Sequence, residues 1–144
     1  MKEVIQGHRI IALDTCIWIY HFEDHPKYRK ATAELLHHIE RGHCRAIVSE
    51  LCLLELLVRP LRLNRQDIAD EYETLLTHFP NVVLTPVSRE VLLSAAGIRA
   101  RHRLRTPDAL IIATALQQGA TLMFTNDDQW ERVGEIDVVR LDDL

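Results

Sequence analysis

Two spacings of apolar residues alternate along this chain. Residues 10–13, 46–48, 82–84, 122–124 and 138–139 are short, β-prone apolar runs without polar alternation. Such runs predict strands buried on both faces. Between them the spacing widens to helical intervals. Residues 26–41 place Ala31, Leu35, Leu36 and Ile39 on one side with charges between, and Gly42 follows as a stop. Asn64 is expected to cap a helix through His78 that puts Ile68, Tyr72, Leu75, Leu76 and Phe79 on one side. Ser88 is expected to cap another, running to about His102. In RTPDALIIATALQQ, Thr106 offers a capping hydroxyl, Pro107 a first-turn proline, and Gly119 stands near the end.

Strands separated by helices favour right-handed crossovers and a parallel sheet covered on both faces. The expected class is therefore α/β: an α/β/α sandwich with a mainly parallel central sheet of four or five strands. One connection is long, because two helices lie between Ser49 and Phe79. In open sheets of this kind ligands bind beyond the carboxyl ends of the strands, where the strand order reverses. Asp14 and Asp127 stand at two such ends. The 144 residues contain no Pro-, Gly- or Ser-rich linker and no internal repeat, which predicts a single domain over 1–144.

Composition narrows the class. With 47% apolar and 26% charged residues the chain can bury a core, which argues against disorder. The densest apolar run, 51–58, is interrupted by Glu55 and falls far short of the ~20 residues that cross a bilayer. The apolar stretch ahead of Asp14 is too short for a secretory signal, so a cytoplasmic protein is expected. Cys16, Cys44 and Cys52 show no C-x-x-C spacing, which points to reduced thiols rather than a disulfide framework or zinc clasp. His21, His25, His37 and His38 read as solvated surface. The net charge of −4 conceals a local excess: Arg99, Arg101, Arg103 and Arg105 fall within seven positions. That pattern suits local contact with an anion, not wholesale coating of nucleic acid.

The chemistry rests on four acids: Asp14 after RIIAL, Glu55 inside SELCLLELL, Asp108 in RTPDALIIATA and Asp127 in LMFTNDDQW. Singly, each has an ordinary explanation. An aspartate in the first turn of a helix is stabilised by the free N–H groups there, and Asn and Asp favour turns for backbone reasons. On its pattern alone, Glu55 is either an exposed-edge residue or a cleft residue. Together the four acids imply more, because two carboxylates ~4 Å apart repel by about 4 kcal/mol at an effective dielectric near 20. A cluster needs raised pKa values or hard cations. Oxygen-only ligands suit Mg²⁺ or Mn²⁺ rather than zinc, and such ions activate water for phosphodiester hydrolysis. Thr15, Ser49, Thr125 and Asn126 adjoin the acids in sequence and can orient carboxylates or water. The arginines at 99, 101, 103 and 105 end just before Asp108, within reach of backbone phosphates.

Four ordered blocks, ALDTCIWI, IVSELCLLELL, LRTPDALIIATA and LMFTNDDQW, resemble those of PIN-domain ribonucleases, specifically the VapC-type toxins of toxin–antitoxin pairs. The resemblance spans nearly the whole chain. It implies a parallel sheet between helices, with Asp14, Glu55, Asp108 and Asp127 as metal-site acids, Thr125 and Asn126 as supporting polar residues, and Glu50 as a bystander. It also implies Mg²⁺- or Mn²⁺-dependent cleavage of RNA, a homodimer, and an antitoxin whose tail covers the acidic cleft. Two places depart from the family's habits: the longer run before Asp14, and Asp128 with Trp130. A haloacid-type phosphatase would need a second aspartate at position 16, which is cysteine. A receiver domain would need paired acids by the first strand and a late lysine, and neither is present. The remaining alternative is a non-catalytic PIN-like module that binds RNA or protein without turnover.

Overall fold

The computed structural model describes all 144 residues. Five strands, β1 (Ile10–Leu13), β2 (Arg45–Ser49), β3 (Val82–Thr85), β4 (Leu122–Thr125) and β5 (Asp137–Arg140), form one sheet in the order β3-β2-β1-β4-β5. Every neighbouring pair is parallel. Consecutive residues of β1, β2 and β4 are buried. Because side chains alternate between faces, that pattern requires cover on both sides. The edge strands β3 and β5 are only partly buried. All five strands lie where the apolar runs predict them, extended by a residue or so.

Seven helices supply the cover: α1 (Lys2–Ile5), α2 (Thr15–Phe22), α3 (Arg29–Glu40), α4 (Glu50–Arg62), α5 (Gln66–Thr77), α6 (Arg89–His102) and α7 (Thr106–Gln117). α3 and α7 each end in a glycine with positive φ, Gly42 at 76° and Gly119 at 75°. Glycine enters that left-handed region without a Cβ penalty, so both stops act as expected. Ser88 caps α6, its hydroxyl accepting the Val91 N–H at 3.2 Å.

Two expected caps are corrected. Asn64 does not cap α5: with φ 53° it forms the left-handed turn after α4, and Arg65 precedes α5 with no side-chain cap. Thr106 is already inside α7, whose preceding residue is Arg105, so Asp108 is the third helical residue. α7 is buried nearly all round, with Ile112, Ala113 and Thr114 fully enclosed, and packs against both α6 and β2. Trp18 on α2, also fully buried, meets Phe79 edge-on at 5.4 Å.

No helix is long and apolar enough to cross a membrane.

Candidate active site

The strand order makes β1 the pivot: the chain adds β2 and β3 on one side of it, then returns to add β4 and β5 on the other. At that reversal the helices following β1 and β4 diverge and leave a crevice at the carboxyl ends of the strands. A cleft of about 670 Å³ opens there, lined by Asp14, Glu55, Asp108 and Asp127 together with Thr15 and Asn126. Acids up to 113 positions apart line it together because β1 and β4 end there, α7 begins there and α4 presents its second turn to it.

Asp14 sits deepest. Register sets it beside β4, since Leu13 pairs with Phe124 and the Asp14 N–H donates to the Phe124 carbonyl at 3.0 Å. Its Oδ1 accepts the Thr15 N–H at 2.7 Å, capping α2, and its Oδ2 accepts the Thr125 hydroxyl at 2.6 Å. Burial nevertheless dominates, raising its pKa to about 6, with the Glu55 and Asp108 charges adding to the rise against these hydrogen bonds. Glu55 lies half-buried on α4 and faces the cleft, its Oε1 accepting the Thr15 hydroxyl at 2.8 Å. That contact settles what the sequence left open.

Asp108 is buried at the start of α7, and its Oδ2 accepts from Arg105 Nε at 3.2 Å. Burial raises its pKa, Arg105 opposes the rise and Asp127 adds to it. Asp127 leaves β4 through a turn in which its N–H donates to the Thr125 hydroxyl at 3.1 Å, while its Oδ1 caps the short 3₁₀ turn 128–132 by accepting the Gln129 N–H at 2.9 Å. Thr125 thus bridges Asp14 and Asp127. Asn126 reaches the other way, its Oδ1 accepting the Asp142 N–H at 3.1 Å.

Ser49, Arg99, Arg101 and Arg103 fall outside the cleft. Ser49 caps α4, its hydroxyl accepting the Leu51 N–H at 3.2 Å. Arg101 pairs with Glu135 at 3.0 Å, and Arg103 closes α6 in the left-handed conformation with φ 54°. Arg99 and Arg103 instead border an apolar groove between α6 and α7. Of the four arginines, Arg105 alone lines the acidic cleft. Conversely, Cys16, Tyr20, Arg140 and Asp142 also line it. Cys16 was legible, since it lies two positions after Asp14. Asp142 carries no local signal, because β5 delivers it beside β4.

The donor set fits a hard divalent cation. It consists of carboxylate oxygens with hydroxyl support, it concentrates negative charge, and the cleft has room for retained water. Yet no three His, Cys, Asp or Glu side chains converge as a ready-made ligand set. Thr15 engages Glu55, Thr125 engages Asp14 and Arg105 engages Asp108, so coordination would draw the acids inward from these partners.

The PIN domain family model matches residues 11–136. No curated protein sequence matches the chain. Among solved structures, VapBC2 from Rickettsia felis, bound to a promoter DNA fragment, is similar at 16% identity and TM-score 0.74, covering 91% of this chain and 98% of that one. FitAcB from Neisseria gonorrhoeae is similar at 21% identity and TM-score 0.71, covering 93% and 99%. VapC20 of Mycobacterium tuberculosis, a toxin that cleaves the sarcin-ricin loop, is similar at 16% identity and TM-score 0.69, covering 86% and 95%. With the family match running from the middle of β1 to just before β5, across all four acids, the chain belongs to the PIN domain family.

Proposed function

We propose that this protein is a Mg²⁺- or Mn²⁺-dependent endoribonuclease and the toxin of a toxin–antitoxin pair, acting in the cytoplasm. The observation that carries the reading is the meeting of Asp14, Glu55, Asp108 and Asp127 in one cleft at the pivot of the sheet. These four acids would hold the cation, which supplies a water of lowered pKa and neutralises charge on the phosphodiester and its leaving oxygen. Thr125 orients Asp14 and Thr15 orients Glu55 through the hydrogen bonds described above. Arg105, exposed at the cleft, would meet a backbone phosphate there.

An antitoxin with a basic side chain would find complementary charge in the same cleft, and the likeness to VapBC complexes supports such a partner. Homodimer formation belongs to the same proposal, supported by the exposed Leu92 at the apolar groove between α6 and α7. Three free cysteines accord with a reducing compartment.

Incubating the chain with a mixed RNA pool and Mg²⁺ or Mn²⁺, then mapping ends, tests the activity. Cleavage that EDTA, Asp14→Asn and Asp108→Asn each abolish is expected. RNA left intact by the unaltered chain, as by the variants, would favour a binding module instead.

A further inference from the structure

Arg105 and Asp108 form an ion pair of unequal partners. The Asp108 side chain is 8% exposed, whereas that of Arg105 is 74% exposed. Contact is through a single Nε–Oδ2 hydrogen bond of 3.2 Å rather than the two-pronged match a guanidinium can make with a carboxylate. A largely hydrated guanidinium held by one bond loses little on leaving. Asp108, buried at the floor of the cleft, has no such freedom.

The other basic residue of the cleft is committed elsewhere. Arg140 is held by Glu131 at 2.6 Å and by Asp143 at 3.0 Å. Arg105 instead stands in the combined field of Asp108, Asp127 and Glu55, three of the four acids. It is the cleft's own releasable cation, and it sits on an acid that a divalent ion would need. Release would leave a free guanidinium at the mouth, repelled by the ion and facing the place where a phosphate arrives.

We infer that Arg105 is a latch: it occupies Asp108 while the cleft holds no divalent cation, yields that carboxylate on loading, and then grips a phosphate of the incoming RNA. The latch rests on the metal-dependent reading above. It adds that metal loading and RNA binding are coupled through one side chain, favourably for RNA and at some cost to the metal.

Two opposed shifts test this. In RNA-free protein, Mn²⁺ binding followed by the loss of the free-ion electron spin resonance signal is expected to tighten about 2- to 5-fold in Arg105→Gln, the size expected for an exposed ion pair. Binding of a labelled single-stranded RNA in Ca²⁺, followed by fluorescence anisotropy, is expected to weaken in the same variant. Arg105→Lys, which keeps charge but not the planar fork, should restore Mn²⁺ affinity toward that of the unaltered chain more fully than RNA affinity. A residue that merely supports α7 would not move the two affinities in opposite directions. Equal or weaker Mn²⁺ binding by Arg105→Gln, or unchanged RNA affinity, overturns the latch alone. An unaltered chain that takes up no Mn²⁺ overturns the latch together with the metal-dependent reading.

Discussion

Replacing Asp14 by asparagine is expected to stabilise the metal-free protein at neutral pH while removing its response to divalent cations. Burial is the leading cause that lifts the Asp14 carboxyl from 3.8 to about 6. A carboxyl whose pKa is higher folded than unfolded binds more protons in the folded state. Between pH ~4 and ~6, stability therefore falls as pH rises, and above that window this contribution is flat. A shift of about two units corresponds to roughly 3 kcal/mol lost by pH 8. Asparagine cannot ionise, and its carbonyl can still accept the Thr15 N–H that the carboxylate now accepts at 2.7 Å. The Thr125 hydroxyl bond to the anion, which lowers the pKa, is already counted in that shift. The net is about 3 kcal/mol in favour of the variant at pH 8, or roughly 10 °C in Tm for a domain of this size. Urea denaturation in EDTA across pH 4 to 8 measures it, and the two proteins should converge toward pH 4. Mn²⁺ at ten times its Kd should add ~1.4 kcal/mol to the unaltered chain and nothing to the variant. A variant no more stable at pH 8, or a gap that does not narrow in acid, would refute the electrostatic argument.

Thr125→Val keeps the shape but leaves both the Asp14 carboxylate and the Asp127 N–H short of a partner. It should lose about 2 kcal/mol at pH 8 and less near pH 4, where Asp14 is protonated, and equal losses at the two pH values would separate Thr125 from the Asp14 charge. Neutralising Arg101 and Arg103 should weaken RNA binding more at low salt than at high salt, since both lie outside the cleft and act only through screened charge. Anisotropy titrations at two ionic strengths measure this, and unchanged affinity at both would return those arginines to the solvated surface.

The fold was legible because its strongest requirement leaves a local trace. A strand covered on both faces must be apolar at successive positions, and 10–13, 46–48 and 122–124 are. From that pattern the parallel topology and the placing of Asp14 and Asp127 at strand ends follow. The caps at Asn64 and Thr106 were misassigned for a common reason: a side chain able to cap is necessary, but the backbone angle at that residue decides. Asn64 adopts a left-handed turn, and the preceding Arg105 holds the extended conformation where α7 begins. Glu55 was undecidable locally, because its direction depends on α4 packing against α2, which brings the Thr15 hydroxyl to it across 40 positions.

Why the acids can share a cleft at all is a question of compensation. Each is met by a group from its own or an adjoining element: Asp14 by the start of α2 and by Thr125, Glu55 by Thr15, Asp108 by Arg105, and Asp127 by the 3₁₀ turn that follows it. Three of these compensations come from groups anchored by secondary structure, and they keep the carboxylates oriented whether or not a cation is present. The fourth comes from a long, exposed side chain that can be withdrawn without disturbing the backbone. A site built only from anchored donors would hold its acids apart permanently, and one with no compensation would pay the full repulsion of a buried anionic cluster. On the latch proposal, the one mobile counter-charge on Asp108 lets the metal-free fold tolerate its acids while leaving a carboxylate that can be released to a cation, so the same residue that limits the instability of the cleft would also govern its loading.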